Sequence, residues 1–575
     1  MKKNTLLWVV WITVVSAALL SEPTWCQATV YYSDGSQASV QALQNAALDG
    51  DTIILPAGTF SWTSRLNITK GITLQGQTTI NGAGTSNPSI VDGTVIAEDT
   101  PRSGPGAGVI FASLTASQSF RLTGITFRHG TGTIYGDGGA VRVTTSGTGP
   151  NRSARIDHCH FDHLYWGQAL GITGWMYGVD DHNVFVCNPP VLSHSIWHDT
   201  WGGQLNGNGS WADYPYYGTE KFWFIEDNTI IGSGTVQTSG NIDVWNGGRY
   251  VARHNAFINA APNSHGTEGG PVRGGRAREV YDNTFNWTMN WVGHMQRSGG
   301  SLWHDNAWTG LESGALNHTF FALYREWGAI GNDLSLWGLA GGQNLWDFND
   351  PHGLYDSGLD TSSVDSQGVV HDSSKNWTAN EWAGYSVTNM NPASACYRHN
   401  SYIISNTSNT ITYSYYAGGD RGAPLVFNAG DPYAIYRVLI ALDQNGRGKG
   451  NLISAGSPPA WPNEALEPCF SWNNVHSPTG HAYGFSGPDP TEIANRDYYN
   501  LGAGFPRDST PAQVSTTYTA ALNGIHYVGP FRYPHPLVSG GPSPTPTPTV
   551  APGSRPTPTP TPTATSSPTA TPTPH

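Results

Sequence analysis

Charge is scarce in this chain. Only 12% of its 575 residues are Asp, Glu, Lys or Arg, and between Lys70 and Lys375 the only lysine is Lys221. Long helices exposed to water need more charge than that, so a helical architecture is disfavoured. The net charge is −13, which argues against nucleic acid as the main partner. Cysteine is also sparse, at five residues. Cys26 lies at the edge of the N-terminal leader. Cys159, Cys187, Cys396 and Cys469 have no zinc-site spacing, and their three pairings are left open by the sequence. Cys159 falls at an inward repeat position and reads as a buried thiol. Only one long apolar run occurs, MKKNTLLWVVWITVVSAALL. Two lysines precede it and small and polar residues follow to about Ala28, so residues 1–28 read as a secretory signal, with a retained anchor as the alternative. No other stretch could cross a bilayer, and a secreted or cell-surface product is expected.

Glycine (70) and tryptophan (22) are abundant instead. That mix suits many short strands joined by tight turns. Roughly 510 residues remain once leader and tail are set aside, too many for one compact domain but ordinary for a repeat protein.

A repeat is present. Arg249 to Phe285 holds one short unit twice, VARHNAF and EVYDNTF. Aligned copies are LTGITF, RIDHCHF, VDDHNVF, FIEDNTI, VARHNAF, EVYDNTF and LWHDNAW, ending at Phe127, Phe161, Phe185, Ile230, Phe257, Phe285 and Trp308. Two residues before each end stand Ile125, Cys159, Asn183, Asn228, Asn255, Asn283 and Asn306. In parallel strands stacked about 4.8 Å apart, each Asn could bond its neighbour's amide or a turn backbone. The position before reads His158, His182, Asp227, His254, Asp282 and Asp305, an outward column. The spacing predicts stacked coils with long loops at 128–150, 186–220 and 258–276.

Upstream, SVQALQNAAL has helical spacing, and GDTIILPAGTF, KGITLQG and TTINGAG follow as short strands. A short helix there would cover the open end of a strand stack. Residues 358–438 carry alternating strands with Asn/Ser turns and lack the repeat, so a small inserted β domain is expected; the repeat resumes through 439–540, with Asn473 or Asn474 in CFSWNNV as a ladder position. From 541 to 575 the alternating Pro/Thr composition predicts an extended stalk that does not fold.

The helix followed by GDTIILPAGTF and KGITLQG resembles the N-terminal cap and first coils of the pectate-lyase-like superfamily. That resemblance implies an all-β fold, a right-handed parallel β-helix with an N-terminal capping helix. It specifies fold far more than activity, because the superfamily includes lyases, hydrolases, epimerases, adhesins and phage tailspikes. The asparagine column resembles the superfamily's asparagine ladder. RIDHC resembles a segment of many pectate lyases, but their Arg-x-Pro-x-x-Arg element is absent.

The candidate chemistry lies in the loop between VARHNAF and EVYDNTF. His265, Glu268, Arg273 and Arg276 occupy it, and Arg249, Arg253, Arg278 and Arg297 flank it. A locally basic patch on an acidic protein suits a carboxylate-bearing polymer. By resemblance, β-elimination on an acidic polysaccharide is implied, with Arg273, Arg276 or Arg297 as base or clamp and calcium near Glu268. The scarcity of lysine disfavours a lysine base. Asp157, His158, Asp181 and His182, or His158, His160 and Asp162, could hold a metal. Asp180–Asp181 with the distant His265–Gly266 gives a weaker hydrolase reading. Trp166, Trp201, Trp211, Trp245 and Arg249 are candidate sugar contacts, in a region also crowded by Trp175, Trp197, Tyr214, Tyr216 and Tyr217. The alternative is a non-catalytic carbohydrate-binding or adhesion protein, and a monomer is expected.

Overall fold

The computed structural model describes residues 28–539 apart from breaks, the longest at 132–139, 265–273, 321–353, 414–424, 437–444, 449–464 and 515–526. Three long parallel sheets dominate it. Sheet 1 has twelve strands, sheet 2 ten and sheet 3 six. Through the middle of the chain a strand of sheet 1 is followed by one of sheet 2 and then one of sheet 3. Phe120–Thr123, Thr126–His129 and Val141–Thr145 form one such set, and Asn151–Asp157, His160–Leu164 and Gln168–Thr173 form the next. Corresponding strands pair in parallel at each step.

The corner between sheets 1 and 2 explains the repeat. Its first residue is left-handed in successive sets: Gly124, His158, His182, Asp227, His254, Asp282, Asp305 and Asn473 all have φ between 51° and 66°. Glycine, Asn, Asp and His tolerate this region best, so the outward column is a backbone requirement. The next residue is the ladder. Asn255 Oδ1 accepts the Asn228 N–H at 3.0 Å, and Asn255 Nδ2 donates to Ile225 O at 2.8 Å. The same two bonds recur at Asn283 and Asn306. Asn474 continues the series across an excursion of the chain, accepting from Asn306 Nδ2 at 2.8 Å and donating to Trp303 O at 2.9 Å. Cys159, one step before Asn183, lacks the amide but still donates its N–H to Asn183 Oδ1.

Two residues on, side chains stack inside. Phe127, Phe161 and Phe185 lie in register with ring centroids 5.3 and 4.6 Å apart, and Phe257, Phe285 and Trp308 with 5.0 and 4.9 Å. Ile230 fills the register between Phe185 and Phe257. Cys159, Cys187, Cys396 and Cys469 are all free thiols.

At the N-terminal side a helix covers Gln37–Ala46, two residues earlier at each end than its spacing suggests. Ser36 caps it by accepting the Ser39 N–H. Val40 is buried in the core shared with Ile53 and Leu66, while Gln41 and Gln44 bond Asn67 O and Thr69 Oγ1 at the edge of sheet 3. Farther on, Gly300–His304 pairs directly with Cys469–Trp472 and Ala307–Trp308 with Val475–His476, so the chain beyond Trp308 re-enters both sheets one step on. Within that excursion Leu354–Tyr436 carries a six-stranded antiparallel sheet around its own apolar cluster, including Val387, Ile403, Ile411 and Ile435. The outer face of sheet 1 is covered. Phe505, Tyr527, Phe531, Leu537 and Val538 pack on Val179, Phe224, Val251, Tyr281 and Leu302. Among the described residues no helix is long and apolar enough to cross a membrane.

Asn255→Ala would leave the Asn228 N–H and the Ile225 carbonyl without their partners. Each buried orphan costs about 1–3 kcal/mol, so chemical denaturation should show a loss of about 2–5 kcal/mol. Asn87→Ala, on the exposed Gly82–Pro88 turn, should cost under about 0.5 kcal/mol.

Candidate functional site

The basic patch read from the sequence turns inward. Arg249 is fully buried, and its guanidinium donates to Ser210 Oγ at 2.8 Å, Ser210 O at 2.6 Å, Tyr214 O at 2.6 Å and Pro215 O at 2.8 Å. It therefore tethers the loop after sheet 3 instead of facing a ligand. Arg253 is spent on Glu226, the Tyr281 hydroxyl and the carbonyls of Phe531 and Arg532. Arg276 pairs with Glu467 and donates to Asp213 O, with both charged side chains fully buried. Arg278 donates to Ser298 O, and Arg297 is buried as well. So Arg249 and Arg276 act as internal framework, contrary to their expected roles as sugar contact and as base or clamp. Burial likewise takes Arg297 off the surface. The reason is that parallel strand stacking delivers carboxylates and carbonyls to Arg249 and Arg276 from distant segments. His265, Glu268, Arg273 and Trp166 lie outside the described residues.

The tryptophans divide. Trp201 is buried against the Arg249 guanidinium at 4.4 Å and Trp175 at 5.5 Å, with Nε1 on Asp213. Trp211 is buried with Nε1 on Gly274 O. Both pack the loop, which corrects their expected role as sugar contacts. Trp175, Trp197 and Trp245 are half-buried.

The His and Asp residues of the sheet 1 corner also pair off. Arg121 binds both oxygens of Asp157 at 2.7 Å, and Arg155 does the same to Asp181. Burial opposes ionisation of Asp157, but hydrogen bonds from Arg121 and His158 outweigh it and hold its carboxyl well below the usual range. His158 and His182 each bond the preceding Asp, and their rings stack at 5.2 Å. With both carboxylates occupied by guanidinium, the metal role expected of Asp157, His158, Asp181 and His182 is not the one this geometry supports. Asp180 and Asp181 point to opposite sides of their strand. Asp180 is buried inward, on Trp223 Nε1 at 2.6 Å and His194 Nε2 at 3.1 Å. That separation breaks the paired-carboxylate hydrolase reading. Among the described residues the one group with metal-like spacing is Asp92, His160 and Asp162, whose ligand atoms lie within 4.8 Å of one another. Arg128 reaches both Asp92, at 3.0 Å, and Asp162, at 2.6 Å, so a cation fits poorly there.

The outer face of sheet 3 is different. In register across four strands stand Arg142, Gly171, Ser195 and Asp243, and two residues on, Thr144, Thr173, Trp197 and Trp245. Their neighbours Val143, Ile172, Ile196 and Val244 point into the core, so this row faces out. The Arg142 guanidinium lies 5.2 Å from the Trp197 ring centre, and Trp197 meets Trp245 edge to face at 4.8 Å. Asp199, just beyond, accepts the Gly174 N–H at 2.9 Å; burial pushes its carboxyl above the usual range, against the pull of Arg142. His198 is buried, and burial together with the Arg249 charge lowers it to about 3, so it is neutral. Flat ring faces, one guanidinium and two carboxyl groups on one wall can stack and hydrogen-bond a sugar. Arg142, Gly171, Ser195, Asp199 and Asp243 were not singled out by the sequence, because the strands of sheet 3 carry no Asn-x-Phe marker. Their register to sheets 1 and 2 was the only signal.

Comparison with protein-family models, curated proteins and solved structures gives no match.

Under the covering segments, Glu279 is fully buried, with Oε1 on the Gly218 N–H at 2.8 Å. Burial pushes its carboxyl from 4.5 up to about 8, while Gly218 and Arg253 pull the other way. An acid raised by folding contributes stability in full below its unfolded value and loses it as pH climbs to the folded one. Thermal unfolding midpoints should therefore fall between pH 4.5 and about 8, and Glu279→Gln should flatten that decline. A wild-type-like slope in the variant would show that Glu279 does not cause it.

Proposed function

We propose that the three sheets close into a right-handed parallel β-helix of the pectate-lyase-like kind, with Gln37–Ala46 as its N-terminal cap and the antiparallel sheet as an inserted domain. The repeated passage through sheets 1, 2 and 3, the asparagine ladder and the left-handed corner support this reading.

We further propose that the protein is a secreted or cell-surface carbohydrate-binding protein. The observation that carries it is the outer face of sheet 3, where Trp197 and Trp245 stand beside Arg142 and Asp243. The opposite candidate, sheet 1, is covered by the chain's own C-terminal segment. Ring faces on a rigid wall suit a sugar polymer, with residues 1–28 as the secretion signal and 541–575 as a stalk. The implied activity, β-elimination on an acidic polysaccharide with calcium, draws no support from Arg249, Arg276 and Arg297, which are buried. It rests on His265, Glu268 and Arg273.

Affinity electrophoresis against a panel of soluble polysaccharides should retard the protein with at least one polymer, and Trp245→Ala should abolish the retardation. The same polymers, incubated with the protein, should yield neither unsaturated uronate ends, read by ultraviolet absorbance, nor new reducing ends. Appearance of the unsaturated ends would replace binding by the lyase reading. No retardation by any polymer would remove the carbohydrate reading altogether.

A further inference from the structure

The C-terminal cover of sheet 1 travels along the stack in one direction and stops short of its end. The Tyr527 hydroxyl bonds His304 Nε2 at 2.9 Å. The carbonyls of Phe531 and Arg532 accept from Arg253, and the His535 N–H donates to Glu226. Those of Leu537 and Val538 accept from Arg155 Nη1 at 3.2 and 3.4 Å. His304, Arg253, Glu226 and Arg155 lie on successively earlier strands of sheet 1. From Tyr527 to Leu537 the cover passes five strands, two residues to a strand. Four strands lie beyond it: Phe120–Thr123, Thr73–Gln75, Thr52–Ile54 and Val30–Tyr32.

The outer row of those four strands is accessible. Leu122, Leu74 and Ile53 belong to the core, so their strand neighbours face out. Among these the Arg121 side chain is 43% exposed, Val30 48% and Tyr32 75%. Gln75 is exposed as well.

Arg121 repeats the fastening that Arg155 provides. The two stand in register on adjacent strands. Arg121 holds both oxygens of Asp157 through Nε and Nη2 at 2.7 Å, and Arg155 holds Asp181 through the same two atoms at the same distance. Matching forks in register aim both Nη1 groups the same way, about 4.8 Å apart. Arg155 Nη1 takes two carbonyls of the cover. Arg121 Nη1 has no acceptor among the described residues.

The chain itself supplies an occupant. Residues 540–550 follow the cover directly and read GGPSPTPTPTV. The cover carries Pro534 and Pro536, and prolines recur at 542, 544, 546 and 548. Such spacing favours the extended polyproline form, whose carbonyls have no internal donors and accept from outside. At about 3.1 Å per residue, crossing four strands about 4.8 Å apart takes roughly six residues. At the pace of the cover it takes roughly eight, so 540–547 suffices either way. Segments of this kind dock on aromatic rings, and Tyr32 stands at the far end.

We propose that residues 540–547 continue the C-terminal cover over the first four strands of sheet 1, with Arg121 Nη1 bonding a tail carbonyl and the prolines around Pro546 lying against Tyr32. The rest of the Pro/Thr tail then leaves the body beside Val30–Tyr32, which fixes where the stalk is attached. The carbohydrate reading stands or falls separately.

Nitrogen-15 relaxation of the full chain tests the docking. The Thr545 amide should move with the body, at an order parameter near about 0.85, while Thr559, farther out, should fall below about 0.6. Tyr32→Ser, at an exposed edge that tolerates substitution, should release Thr545 to the Thr559 value. Arg121→Lys, which keeps the charge beside Asp157 but loses the third nitrogen, should do the same. A Thr545 as mobile as Thr559 in the unaltered protein would overturn the proposal. Two measurements would then identify the true occupant: a dimer in sedimentation that Tyr32→Ser dissolves points to a second copy, and loss of polysaccharide retardation in Tyr32→Ser points to the polymer. A Thr545 that stays ordered in both variants would place the tail elsewhere and overturn it equally.

Discussion

A side-chain amide that bonds twice to the step before it, by its oxygen and by its nitrogen, holds this structure in register. At Asn183, Asn228, Asn255, Asn283, Asn306 and Asn474 the amide oxygen takes a backbone N–H from the preceding corner, and the amide nitrogen gives to a strand carbonyl. A parallel sheet alone does not bring its corners into line. The ladder does, because an amide has one acceptor and two donor hydrogens set at fixed angles. Once corners align, the residue before each must turn left-handed, and the residue two after must stack inside. Backbone angle, buried polar pairing and aromatic packing thus follow from a single repeated contact.

That alignment also disposes of charge. Stacked strands place Arg155 over Asp157 and Asp181, and Arg253 beside Glu226, with little water between them. Exposed ion pairs contribute little, whereas a buried arginine must be fully bonded to be tolerated. Arg249 and Arg253 meet that condition by drawing loops and the C-terminal segment onto the sheets; Arg276 meets it at its two terminal nitrogens, while its Nε has no partner among the described residues. The arginines that resembled a surface clamp are the fastenings of those segments. One consequence is that the outer face of sheet 1 closes, whereas on the outer face of sheet 3 Arg142, Trp197, Asp243 and Trp245 stay half-buried.

Legibility followed locality. The ladder, the aromatic stack and the outward His/Asp column were readable because each depends on residue type at one corner, repeated; that the column is left-handed came only from the backbone. The N-terminal helix was readable from its own apolar spacing. The fate of Arg276 was not, since its partner Glu467 lies 191 residues on, beyond an excursion of the chain. Arg253 meets Phe531 across 278 residues. Asp180 and Asp181 looked like a pair and are not one, because neighbours in a strand face apart. Arg142, Gly171 and Ser195 were silent in the sequence: nothing unites them until sheet 3 is laid in register.

The sequence by itself determined how one strand follows another around the corner between sheets 1 and 2, since the chemistry that sets each corner is contained in a few adjacent residues. Only the tertiary structure decided which arginines are interior, which sheet is covered and which row of side chains is presented outward. Those outcomes depend on contacts between segments hundreds of residues apart, and on the parity of each strand once its register is set.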